Sequence, residues 1–223
     1  MSRESDNEAF VKEFQRRAGI KVDGWAGRKE AWPALDRLVP DVKHNYALKD
    51  PTAFFAVVRK ELGSLSQSQV VGFNTLLAAM SGWGHRWVAY GLATAWHETN
   101  ATMQPVREAY WLSEEWRKKN LRYYPWYGRG YPQTTWKENY QNADDELGLG
   151  GSLMANPDRM LEPEIAAATM VRGMEEGWFT GKKLSDFATY KDMRQIINGK
   201  DKEVKIAGYA NTFERALLAG GWA

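Results

Sequence analysis

From Thr52 onward, apolar residues recur at helical spacing almost without interruption, and no stretch sustains the strict alternation of a half-buried strand. Ala53 to Leu62 reads as a helix stopped by Gly63. Ser66-Gln67-Ser68-Gln69 has the capping-box pattern and opens a helix running through Met80 and closing near Gly82. Arg86 to Glu98 is apolar on most faces, as expected of a buried central helix. Further helices are predicted over 107–119, 135–147, 163–177, 190–197 and 202–218. The pattern is mainly α, any sheet is minor, and neither an internal repeat nor a low-complexity segment is visible.

Residues 8–38 form a separate short pattern. An amphipathic helix around Phe10, Val11 and Phe14 is followed by Gly19-Ile20-Lys21-Val22-Asp23-Gly24, Ala26-Gly27 and a second short helix through Trp32 and Leu35. Pro40 to Pro51 is polar and bounded by prolines, as a linker would be. The expected organisation is a small helical unit over 1–40, a linker over 41–52 and a main domain over 53–223.

Composition narrows the function classes. With 43% hydrophobic and 26% charged residues over 223 positions, the chain reads as soluble and globular, and a monomer is expected. No apolar run approaches the roughly eighteen residues of a membrane span, so membrane insertion is not expected. The first residues, Met1-Ser2-Arg3-Glu4-Ser5-Asp6-Asn7-Glu8, lack the apolar stretch of a signal peptide, which points to synthesis and retention in the cytoplasm. There is no cysteine, which excludes disulfides and thiolate chemistry. A net charge of +2 is too balanced for a nucleic-acid partner. The unusual count is eleven Trp, and ten of the 29 aromatics lie between Tyr110 and Tyr140. Such clustering suits a saccharide groove, where flat rings stack on sugar faces, as well as it suits a helical core.

Two stretches carry candidate chemistry. Leu92-Ala93-Thr94-Ala95-Trp96-His97-Glu98-Thr99 puts a carboxylate at the end of an apolar helix. Pressed against Ala93, Ala95 and Trp96, Glu98 is expected to lose hydration and hold its proton, as a general acid must. Downstream, Tyr127-Gly128-Arg129-Gly130-Tyr131-Pro132-Gln133 is a glycine-punctuated aromatic loop. Tyr127, Tyr131 and Trp136 are candidate stacking platforms. Arg129, between two glycines, can turn inward toward Glu98 or outward to solvent. Met103 and Trp111 are expected in the core. His97-Glu98 invites a zinc reading, but position 101 is Ala where a metalloprotease helix has its second histidine. Only His44, His85 and His97 exist, so neither a metal nor a cofactor is expected, and His97 is assigned to bonding within the fold or to tuning Glu98.

Trp96-His97-Glu98-Thr99, Tyr127 to Thr135, Asn139-Tyr140 and Ile197-Asn198-Gly199 resemble, in order and spacing, the successive motifs of family 19 glycoside hydrolases. Gly63 to Val70, Leu92 to Thr99 and Met103 to Glu108 resemble the phage endolysin branch of that family. The resemblance covers roughly Ala53 to Trp222. It implies a mainly helical, lysozyme-like fold of two lobes with a cleft between them. The implied activity is inverting hydrolysis of β-1,4 links between amino sugars, in which one carboxylic acid protonates the leaving oxygen and a second carboxylate activates water.

By position, Glu98 matches the family's acid. Glu108, ten residues on and beyond the helix end, is the choice for the second carboxylate, with Glu114 and Glu115 as rivals. Thr135 matches a hydroxyl that holds the attacking water, although Thr135-Trp136-Lys137-Glu138 also reads as a capping box. Gln133, Asn139 and Asn198 match sugar-binding positions, which turn or cap chemistry explains equally well. Val11 to Gly27, continuing to Trp32 and Leu35, resembles the second half of peptidoglycan-binding modules, which implies bacterial peptidoglycan as partner. A phage endolysin that waits in the host cytoplasm for a separate membrane pore is the leading expectation. A chitinase and a non-catalytic wall-binding protein are the alternatives.

Overall fold

A computed structural model describes residues 46–223, together with Lys12 and Arg16. The chain divides into two units, Met1–His44 and Asn45–Ala223. The small N-terminal unit expected over 1–40 lies outside the described residues, apart from Lys12 and Arg16, which are helical.

Helix α1 (Pro51–Leu62) starts where the Asp50 side chain accepts from Ala53 N–H at 3.0 Å, with Pro51 supplying a preset φ. Helix α2 (Gln67–Ala79) opens on the expected box: Ser66 Oγ accepts from Gln69 N–H at 3.2 Å, and Gln69 Oε1 accepts from Ser66 N–H at 2.8 Å. Helix α3 (His85–Glu98) is the central element, and every residue from Val88 to Trp96 is buried.

A short antiparallel pair, β1 (Val106–Arg107) and β2 (Arg129–Gly130), sets Arg107 directly opposite Arg129. Like charges in that register repel. Asp158 resolves the clash by accepting from Arg107 Nη2 at 2.6 Å and from Arg129 Nε at 2.8 Å.

The remaining elements are α4 (Glu114–Asn120), α5 (Lys137–Glu146), α6 (Ser152–Ala155), a 3-10 turn at Pro157–Leu161, and α7 (Pro163–Glu176). They are followed by a second 3-10 turn at Leu184–Asp186, α8 (Tyr190–Met193), α9 (Gln195–Asn198) and α10 (Glu203–Ala219).

Two apolar clusters organise these elements. The larger is built on α3, covered by α10 through Ala210, Phe213, Ala216 and Leu217, with Phe54 and Val58 of α1, Phe73 and Leu76 of α2, and Met170 and Met174 of α7. The smaller joins Tyr140 and Ala143 of α5 to Leu153, Met160 and Ile165. The fold is mainly helical and lysozyme-like around a central buried helix, as expected.

Three expected elements differ. The helix predicted over 107–119 is only α4, because Val106–Arg107 pair with β2, Ala109 takes a left-handed φ of 47°, and Ser113 caps the helix at Trp116 N–H. The capping box expected at Thr135 does not form: α5 begins at Lys137, and its N-cap is Trp136 with φ 73° and no side-chain cap bond. The helix predicted over 190–197 breaks at Arg194 into α8 and α9. Where a linker was expected to reach residue 52, Ala47 exchanges backbone bonds with Ala223, and Asp50 N–H donates to Gly220 O at 2.9 Å.

Candidate active site

A cleft of about 430 Å³ is lined by Glu98, Glu108, Tyr123, Pro132, Gln133, Thr135, Ile197 and Asn198. Glu98, from the last turn of α3, and Ile197 and Asn198, from the end of α9, meet residues of the segment 108–135 there. Both proposed carboxylates, Thr135, Gln133 and Asn198 are therefore brought together from four separate stretches of sequence.

Glu98 is held by a residue that the sequence reading missed. Arg194, 1% exposed at its side chain, donates from Nη1 to Glu98 Oε1 at 2.7 Å and from Nε to Asp201 O at 2.8 Å. This is a charge-assisted bond in a secluded setting, stronger than an exposed ion pair. The expectation of a carboxyl surrounded by apolar groups needs correction: Ala93, Ala95 and Trp96 are buried in the core, while the carboxylate itself meets a guanidinium. His97, beside it, is pushed below its ordinary pKa of 6.5. Burial is the largest cause, reinforced by Arg194 and Lys205 and opposed by Glu98 and Asp201.

Glu108 is fixed at both oxygens. Oε1 accepts from the Tyr123 hydroxyl at 2.8 Å, and Oε2 accepts from Gly128 N–H at 2.9 Å. Its own N–H donates to Gly128 O at 2.6 Å, extending the β1–β2 ladder by one step. The Tyr123 phenol is pushed up to about 12 by burial and by this hydrogen bond, so it stays a donor to Glu108. Gly128 is needed because a Cβ there would lie 2.9 Å from Gln133 Oε1 and 3.1 Å from Glu108 Oε2. The rivals are placed elsewhere: Glu114 accepts from Arg117 and Tyr127, and Glu115 is exposed in the first turn of α4.

The loop joining the two carboxylates is tied down on its outer side. Gln69 Nε2 donates to Ala101 O at 2.8 Å, and Gln104 Nε2 donates to Ser68 O at 2.8 Å. The capping-box glutamine of α2 thus also anchors the cleft loop. A Cβ at Gly72 would sit 1.8 Å from Met103 O, so α2 carries glycine where the loop crosses it. Among the described residues, every non-glycine with positive φ except Lys202 lies in 100–109 or 133–136. Each such conformation costs about 1 kcal/mol or more, and strain of this kind concentrates where a site requires it.

The other predicted binding residues divide. The Gln133 amide spends both hydrogens on Val106 O and Gly130 O, leaving its oxygen as the acceptor at the cleft. Trp136 is 42% exposed and packs edge-on against Tyr123 with ring centroids 5.1 Å apart, which puts it at the rim. Asn139 is outside the lining and donates to Thr135 O at 2.9 Å, steadying the entry to α5.

Tyr127 and Tyr131 are fully buried, so neither ring offers a face to a sugar. Arg129 turns neither toward Glu98 nor to solvent. It lies 3.6 Å over the Tyr127 ring and donates to Asp158, Pro125 O and the Tyr140 hydroxyl. Met103 is buried as expected, whereas Trp111 is 71% exposed.

Among the described residues, no cluster of His, Cys, Asp or Glu could hold a metal ion. No helix there is long and apolar enough to cross a membrane.

No protein-family model matches the sequence, and no curated protein matches it. Among solved structures, the chain superposes on the crystal structure of chitinase C from Streptomyces griseus HUT6037 with a TM-score of 0.53. The identity is 21%, over 74% of this chain and 75% of that one. At this identity the likeness is one of fold: a mainly helical, lysozyme-like architecture shared with a chitinase.

Proposed function

We propose that the chain is a glycoside hydrolase that cuts β-1,4 links in the glycan strands of bacterial peptidoglycan. The observation that carries this reading is the pair Glu98 and Glu108 lining one cleft, each oriented by a different partner. Glu98 gives its proton to the glycosidic oxygen as the bond to the anomeric carbon breaks. Glu108 takes a proton from a water that attacks that carbon from the opposite face, so the product inverts. Arg194 then faces the carboxylate that Glu98 has become, and Tyr123 and Gly128 keep Glu108 aimed. In this reading Thr135 holds the water, and Asn198 and the Gln133 oxygen meet sugar amides or hydroxyls; that all three line the cleft supports these roles.

In this reading the enzyme is a phage endolysin of muramidase type, working as a monomer without a cofactor. It stays in the host cytoplasm until a separate pore gives it access to the wall, with residues 1–40 contributing wall attachment. Support for this role comes from the endolysin-like and wall-module-like stretches of the sequence.

Glu98→Gln is expected to abolish lysis of purified, chemically permeabilised cell walls while wall binding persists; wild-type lysis by that variant sinks the assignment. Mass spectrometry of the released fragments identifies the bond, with muramic acid expected at the new reducing end. A chitinase is the second reading, favoured by the shared fold with chitinase C. Faster turnover of chitin than of peptidoglycan would select it.

A further inference from the structure

Resting on that reading, we infer that Tyr110 and Trp111 form an aromatic platform that extends the cleft and stacks one more sugar of a bound glycan strand. Trp111 is the most exposed large hydrophobic residue among those described, at 71%, and Tyr110 beside it is 46% exposed. Their rings meet edge to face with centroids 5.1 Å apart, so the pair forms one aromatic surface.

The pair is tied by the chain and by a hydrogen bond to the two segments that carry the carboxylates. Tyr110 follows Glu108 by two residues, and its hydroxyl accepts from Asn100 Nδ2 at 3.4 Å, two residues past Glu98.

The platform is also held in register with Glu108. Arg117, 4% exposed, donates from Nε to Glu108 O and from Nη2 to Ala109 O, both at 2.9 Å. Its guanidinium also lies 5.5 Å over the Tyr127 ring. Leu112 N–H donates to Ala109 O at 2.9 Å, closing a tight turn in which Ala109 takes φ 47°. One buried side chain thus grips the backbone on which both Glu108 and the aromatic pair are mounted. An exposed indole on a fixed turn can bind without first being ordered, which is the economy of preorganisation. A strand lying in the cleft supplies repeating C–H faces of matching size, and an apolar protein partner would need no such alignment with Glu108.

The test is calorimetric titration of intact glycan strands, and of tetrasaccharides cut from them, into the Glu98→Gln protein with and without Trp111→Ala. Intact strands are expected to bind roughly tenfold more weakly to the doubly substituted protein. Most of the preference for intact strands over tetrasaccharides should disappear with it, and Trp111→Phe should restore most of the affinity. Equal affinity with and without the indole, or a loss that Phe does not restore, overturns the platform. Wall lysis by the unsubstituted enzyme is scored separately. Failure there removes the hydrolase reading, while the binding titration still decides the platform.

Discussion

Arg194 Nη1 lies 2.7 Å from Glu98 Oε1 across 96 residues of sequence, with the guanidinium almost wholly enclosed. Removing one partner of a secluded pair leaves the other uncompensated, which costs about 3 kcal/mol. Arg194→Met should therefore lower unfolding stability by about that amount and reduce kcat/KM by roughly 100-fold. Denaturant midpoints and kinetics on the folded fraction check both effects. A stability loss without a rate loss would make Arg194 a packing residue only.

Tyr123 donates to Glu108 and stays protonated far above neutral pH. Tyr123→Phe removes one charge-assisted hydrogen bond, worth about 1.5 kcal/mol, at nearly constant volume. The expected outcome is a roughly tenfold lower kcat, with a fall of only a few degrees in melting temperature. Steady-state kinetics at saturating substrate measure it.

For Glu108 itself, Glu108→Ala should be inactive in water and regain activity with added azide, which attacks without a base. The β-glycosyl linkage should yield an α-glycosyl azide, detectable by NMR. A covalent sugar trapped on Glu108 in the wild-type enzyme would replace inversion with retention.

Arg129 gives the opposite expectation. It is buried under Tyr127 and bonded to Asp158, Pro125 and Tyr140, with no share of the cleft. Arg129→Met should cost about 3 kcal/mol of stability while KM of the folded fraction barely moves. A large rise in KM at unchanged stability would return Arg129 to the binding surface.

His97 binds its proton less readily in the folded protein than in the unfolded chain, chiefly because it is partly buried. Its contribution to stability is therefore fully present above about pH 6.5 and is lost as pH falls through its lower folded value. His97→Gln should flatten the acid side of the melting-temperature profile below about pH 6.5. An unchanged acid limb rejects this.

The helices were legible because period, caps and stop residues agreed, as at Ser66–Gln69 and Gly63. Loops offered no such agreement. Without a period to assign a face, the sequence could not tell that Tyr127 and Tyr131 turn into the interior while Trp111 turns out. Glu98 and Glu108 could be proposed because motif spacing carried them. Arg194 could not, since an arginine between Met193 and Gln195 reads as an ordinary helix-surface charge. Its one signal was the apolar company of Met193, Ile196 and Ile197, which is consistent with an inward-facing turn. Left-handed Ala109 was equally invisible, because alanine is a strong helix former and the bonds from Arg117 and Leu112 N–H to its carbonyl hold it otherwise.

The central helix carries an unbroken buried stretch, and its main covering element, α10, begins at Glu203, far downstream of Glu98. During synthesis, α3 therefore leaves the ribosome long before the surface that shields it has been made. Until then Val88, Leu92 and Trp96 have nothing to pack against from α10, and Glu98 waits for Arg194. Native closure is consequently a late, long-range event of the slow and aggregation-exposed kind.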